Sequence, residues 1–140
     1  MKKYPIGYTT GVFDMFHIGH LNILRQAKEM CEYLIVGVST DELVFQSKHK
    51  SPIIPFDERV QIVSAIKYVD RVIPQFNKDK LAAYEQYHFD VMFVGDDWKG
   101  SELFIKCENE LKKRGSTVVY FTYTKGTSSS ILREKLLSLV

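Results

Sequence analysis

Short apolar runs rich in β-branched residues alternate along this chain with longer segments of helical period, and few architectures accommodate that alternation. Residues 33–38 (YLIVGV), 91–95 (VMFVG) and 117–121 (TVVYF) are apolar at nearly every position. Strands buried on both faces read this way, as in a parallel sheet covered by helices. Residues 4–10 and 71–74 give weaker strand signals, the first interrupted by Pro5 and Gly7. Helical spacing of apolar residues runs through Leu21, Leu24, Ala27 and Cys31 across 20–31. It recurs at Val60, Val63 and Ile66 across 56–68, and at Leu103, Cys107 and Leu111, read as inward-facing, across 101–114. Gly115 is placed to end that last helix. Further helices are expected at 81–87 and 129–139, and a short one opening at Asp41 behind a Ser39-Thr40 cap. The polar stretch 46–55, with three basic residues and two prolines, reads as a mobile loop. The whole predicts an α/β fold, a single domain over residues 1–140 with a doubly wound, five-stranded parallel sheet of Rossmann-like type.

Composition narrows the function. The formal net charge is +2 with no dense Lys/Arg run, so no nucleic-acid partner is expected. Cys31 and Cys107 are far apart and form no CxxC pair, which fits a reduced, cytoplasmic setting. No signal peptide and no membrane-crossing run is read in the chain.

In doubly wound sheets ligands bind beyond the carboxyl ends of the strands. The first such junction reads Thr10-Gly11-Val12-Phe13-Asp14-Met15-Phe16-His17-Ile18-Gly19-His20. It is neither GxGxxG nor a P-loop, so it announces neither a dinucleotide fold nor a Walker-type site. It nonetheless opens a helix, where free N–H groups and the dipole favour an anion. Gly19 leaves room for a phosphate, and two imidazoles three residues apart can donate to it. The dipole is expected to hold both rings neutral until an anion binds. Three readings stay open on spacing alone: phosphate chemistry, a shared metal ion, and simple helix capping.

The same segment resembles the HxGH signature of the nucleotidyltransferase superfamily. Val38-Ser39-Thr40-Asp41-Glu42, Arg59, the run from Ile66 to Asp70, Val72-Ile73-Pro74 and Gly95-Asp96-Asp97-Trp98-Lys99-Gly100 resemble the glycerol-3-phosphate cytidylyltransferases in particular. The likeness runs from about Tyr8 to Leu136. It implies transfer of CMP from CTP, with Mg2+, to a small phosphorylated alcohol, giving CDP-glycerol when that alcohol is glycerol 3-phosphate. Wall or capsule polymers are the implied destination, and a cytoplasmic homodimer the implied assembly, with 66–74 at its interface.

By resemblance the catalytic residues are His17, His20 and Lys48. The nucleotide site takes Thr10, Gly11, Val12, Phe13, His17, His20, Asp97, Thr124, Gly126, Ser128, Ser129 and Ser130. The acceptor site takes Lys48, Lys50, Arg59, Lys67, Asp97 and Trp98. No resident metal site is expected, and Asp14 is read as a residue that fixes the loop. The chain departs from the family where an RTxGIST segment is usual: Tyr123 stands at the arginine, with Lys125 two residues on. Tyrosine is neutral and cannot fork onto phosphate as arginine does. The alternatives are another phospho-alcohol acceptor (glycerol 2-phosphate, ethanolamine phosphate or choline phosphate), an adenylyltransferase of FAD synthetase type, and a nucleotide-binding module without catalysis.

Overall fold

The computed structural model of the protein describes residues 3–95, 99–122 and 129–139. The elements follow in the order β1 (Tyr4–Gly11), α1 (Ile18–Met30), β2 (Cys31–Ser39), α2 (Asp41–Lys48), α3 (Phe56–Ser64), β3 (Arg71–Gln75), α4 (Lys80–Tyr87), β4 (Val91–Gly95), α5 (Glu102–Lys113), β5 (Thr117–Phe121) and α6 (Ser129–Ser138). The strands form one parallel sheet in the order β3-β2-β1-β4-β5. Chain order reverses between β1 and β4, so the ligand crevice of such a sheet opens at their carboxyl ends.

Side-chain alternation along the strands builds two cores. Leu34, Val36 and Val38 of β2 and Val91 and Phe93 of β4 face one side, against Leu24 and Ala27 of α1 and Val63 of α3. Tyr8, Ile35, Ile73, Met92 and Val118 face the other, against Phe104 and Leu111 of α5, with Leu81, Ala83 and Tyr84 of α4 packed alongside. The sheet is therefore doubly wound. β1 runs at its centre, and the packing there is tight. A Cβ on Gly7 would come within 2.7 Å of Cys31 Sγ and 2.8 Å of Phe93.

Helix ends follow local chemistry. Thr40 accepts from the Leu43 amide and caps α2. Gly115, at φ +86, lets the chain leave α5 through paired bonds, Gly115 N to Lys112 O and Ser116 N to Leu111 O, which is a Schellman motif.

Three expectations need correction. α2 extends through Lys48, so the polar connection begins only at His49 and Lys48 belongs to a helix. α3 stops at Ser64, because Ala65, Ile66 and Val69 turn back through tighter i→i+3 bonds to feed β3. Leu103 is not inward but 73% exposed; the apolar stripe of α5 passes instead through Phe104, Cys107 and Leu111.

Candidate active site

The loop from β1 to α1 is held in a strained form. Phe13 and Met15 have φ of +55 and +48, where non-glycine residues are uncommon. Two fastenings hold it. Phe13 is buried in the core, and the Asp14 carboxylate accepts from the amides of Ile53 (2.8 Å) and Ile54 (2.9 Å). Those two amides lie in the connection that also carries Lys50. Asp14 thus ties the lysine-bearing connection to the signature loop.

The histidines cap α1 reciprocally. His17 Nδ1 accepts from the Gly19 amide at 3.0 Å, and His20 Nδ1 accepts from the His17 amide at 3.3 Å. Gly19's N–H is therefore spent within the chain and is not free for a ligand. An imidazole nitrogen that accepts carries no proton, so each neutral ring carries its proton on Nε2. The two rings stack with centroids 3.9 Å apart. Phe13 and Phe16 each lie with ring centroids 5.3 Å from that of His20. Burial, then the charge of His17, push His20 down to about 4, against an opposing pull from Asp14. Burial lowers His17 as well. Burial thus favours the neutral rings, the direction that was expected of the helix N-terminus. His17 Nε2 is buried without a hydrogen-bond partner among the described residues. The expectation of capping and that of an anion-binding donor are compatible: the cap fixes the tautomer, and the tautomer supplies the donor.

Beside these rings lies a cavity of about 570 Å3 lined by Val12, Phe13, Asp14, His20, Val44, Lys48, Lys50, Ser51, Pro52, Arg133, Glu134 and Leu137. This is ample for a nucleotide. Five candidate residues, Val12, Phe13, His20, Lys48 and Lys50, line it, and His17 stacks on His20. Among the described residues no three His, Cys, Asp or Glu side chains converge as a metal site.

Two residues assigned to the acceptor stand elsewhere. Arg59 is fully buried, and its guanidinium is consumed by the chain itself. Nε donates to Ile54 O (2.8 Å), Nη1 to Val12 O (2.7 Å) and Ser39 O (2.8 Å), and Nη2 to Asp41 Oδ1 (2.6 Å). It is an internal brace joining the signature loop, the end of β2 and the connection after α2. Lys67 is exposed and precedes β3, which places it at the amino edge of a parallel sheet, opposite the cavity. Its ammonium lies over the Tyr68 ring. Asp97, Trp98, Thr124, Gly126 and Ser128 lie outside the described residues, as do the side chains of Ser129 and Ser130, which open α6.

Two residues that the sequence reading missed stand at the carboxyl edge of the sheet, Arg133 lining this cavity and Lys80 at the end of β1. Arg133 of α6 reaches in until Nη2 is 3.5 Å from Asp14 Oδ2. Its signal was its place one turn past Ser129 and Ser130 on the same helix. Lys80, the first residue of α4, sends its ammonium to Thr10 Oγ1 at the end of β1, 2.9 Å away. Burial first, with Lys78 adding and Cys107 opposing, pushes it down to about 8. Its signal was a cation in the first turn of a helix, where the dipole disfavours one. Lys80 also lines a second, mainly apolar cavity of about 450 Å3 between α4 and α5, with Leu81, Leu103, Phe104 and Cys107.

Residues 8–135 match the family described as cytidylyltransferase-like. The chain belongs to that family. Among its relatives is the glycerol-3-phosphate cytidylyltransferase of Bacillus subtilis (strain 168), 37% identical over 99% of this chain and all of the relative. The FAD synthase of Thermococcus kodakarensis is 38% identical over 75% of this chain and 70% of its own length. A solved structure described as the lipopolysaccharide core biosynthesis protein from Thermoplasma volcanium GSS1 superposes with a TM-score of 0.71 at 28% identity, over 89% of this chain and 99% of that one. A cytidylyltransferase-like domain on a Rossmann-like sheet is a nucleotidyltransferase, and the histidine cap is the part of it whose chemistry is most fully formed.

Proposed function

We propose that this protein transfers CMP from CTP to glycerol 3-phosphate, releasing pyrophosphate. The observation that carries the reading is the buried Nε2–H of His17, without a partner among the described residues and aimed by a cap that also fixes His20. An orphaned buried donor is costly unless a ligand meets it. Here the ligand is the phosphate chain of the nucleotide.

An oxygen of the acceptor's phosphate attacks the α-phosphorus of CTP. The new P–O bond forms as the bond from the α-phosphorus to the bridging β-oxygen breaks, and pyrophosphate leaves. No covalent enzyme intermediate is needed, so the work is positioning and charge stabilisation. His17 and His20 donate to the α-phosphoryl oxygens while remaining neutral, and Lys48 adds a positive charge from the cavity's other wall. Arg133, from α6, supplies a positive charge where the sequence has Tyr123 in place of the family's arginine. Lys80 is a part-buried ammonium with only a hydroxyl partner among the described residues, and it receives the acceptor's phosphate. Mg2+ carried by the triphosphate would offset part of the charge on the departing pyrophosphate.

The 37% identity to the Bacillus subtilis cytidylyltransferase over nearly the whole chain supports this acceptor and this nucleotide. The likeness to an FAD synthase makes ATP the competing donor. We further propose a homodimer in the cytoplasm, supplying CDP-glycerol for wall or capsule polymers. No described helix is long and apolar enough to cross a membrane. The test is pyrophosphate release with CTP or ATP across a panel of glycerol 3-phosphate, glycerol 2-phosphate, ethanolamine phosphate and choline phosphate. CTP with glycerol 3-phosphate is expected to turn over fastest. Release with ATP and none with CTP would overturn the nucleotide assignment, and no release with any pair would overturn the enzyme.

A further inference from the structure

Thr10 was assigned to the nucleotide on resemblance, but its side chain turns to the other side of the sheet. Residues two apart on a strand share a face. Tyr8 belongs to the core on the α4 and α5 side, so Thr10 faces that side too, opposite α1 and its histidines. Its rotamer is fixed by shape. A Cβ on Gly37, its neighbour in β2, would come within 3.0 Å of Thr10 Cγ2, so the methyl fills the space that this glycine leaves. A β-branched side chain has few rotamers to choose from. With the methyl seated over Gly37, the hydroxyl accepts from Lys80 Nζ at 2.9 Å.

We infer that Thr10 is the positioning residue for Lys80: its hydroxyl fixes the ammonium at the carboxyl end of β1, where Lys80 meets the acceptor's phosphate. This rests on the role given to Lys80 under the proposed function. The groups facing Lys80 leave the task to Thr10. Lys78 and Asp79 precede it, and Lys106, Cys107 and Glu110 line the same cavity from α5. Among the described residues no carboxylate is in ion-pair contact with it. β1 presents the Thr10 hydroxyl and, beneath it, the phenol of Tyr8, which burial keeps neutral. A part-buried cation held by one oxygen among the described residues depends on that oxygen for its direction and for part of its charge.

The experiment uses the full chain with Thr10→Val, which keeps the shape over Gly37 and removes the acceptor, and Thr10→Ser, which restores the hydroxyl. Thr10→Val is expected to raise KM for glycerol 3-phosphate roughly tenfold, the loss of one charge-assisted hydrogen bond's worth of placement, with kcat and the KM for CTP moved less than about twofold. Thr10→Ser is expected to recover most of the loss. In the wild type, kcat/KM for the acceptor falls above about pH 8 as Lys80 loses its proton. In Thr10→Val that fall moves to lower pH, because the charged amine has lost its acceptor. Gly37→Ala, which crowds the Thr10 methyl, is expected to act in the same direction. An unchanged acceptor KM in Thr10→Val, or a rise confined to CTP, overturns the inference. Titration of isotopically labelled lysine side chains by NMR separates this claim from the proposed function. A lower Lys80 pKa in Thr10→Val, in a protein that turns over no phospho-alcohol, keeps the Thr10–Lys80 contact but removes its role in acceptor binding. An unshifted Lys80 in an active enzyme removes Thr10 alone.

Discussion

Arg59 and Lys80 are both cations drawn inside at the carboxyl edge of the sheet, and their surroundings make opposite use of them. Arg59 spends four hydrogen bonds on three backbone carbonyls and one carboxylate. Among the described residues Lys80 has one hydroxyl. A fully buried guanidinium that spends four of its five N–H groups on its own chain acts as a brace. A part-buried ammonium with one weak partner keeps most of its capacity for an anion. Counting acceptors around a buried cation thus separates structure from binding where charge and burial alone do not.

Breaking the brace is expected to have the largest effect. Arg59→Met keeps much of the volume but strands the carbonyls of Val12, Ser39 and Ile54, and is expected to cost about 3–5 kcal/mol in denaturant unfolding. A loss below about 1 kcal/mol would mean that the four bonds do not act as a unit. His17→Ala tests the site between the two cations. Turnover is expected to fall about a hundredfold or more for one lost transition-state donor. Stability is expected to fall by only about 1 kcal/mol for a lost cap. Equal turnover in wild type and variant would take His17 out of the mechanism.

Lys80→Met should be the mirror image of the brace. The KM for the acceptor is expected to rise roughly tenfold or more, while stability at pH 7 holds or increases. The sign follows from linkage. With a folded value near 8 and an ordinary value of 10.5, the fold carries the cost of a buried charge below about pH 8. That cost disappears as pH rises through this range, so the variant's advantage in unfolding experiments should shrink there. A variant less stable at pH 7 than at pH 9, relative to wild type, would place Lys80 with Arg59 as a brace. Lys67→Ala, at the far edge, is expected to change neither stability nor either KM beyond about twofold, as for surface sites generally. A larger loss of acceptor affinity would mean that Lys67 reaches the site from a second copy of the chain.

The sheet was legible because strands buried on both faces leave an unbroken apolar record, as in 91–95 and 117–121, and because Thr40 and Gly115 mark helix ends by local chemistry. The histidine pair was legible because a cap is also local. Arg59 was not. Preceded by Asp57 and Glu58 in a helix's first turn, it reads as a solvated residue, and only the convergence of three distant carbonyls reveals otherwise. Lys80 and Arg133 escaped for the same reason, since their partners Thr10 and Asp14 are 70 and 119 residues away in sequence. Leu103 was misplaced because spacing by fours fits two neighbouring stripes of one helix, and the sheet chose the stripe through Phe104.

The placing of the histidines and Lys80 on opposite faces of one strand has a stereochemical consequence. In-line displacement needs the incoming and departing oxygens on opposite sides of phosphorus. One anchor on each side of the sheet lets the two reactants reach its carboxyl edge from different sides. Under the proposed reaction, a single displacement with no covalent enzyme intermediate, CTP made chiral at its α-phosphorus would yield product of inverted configuration.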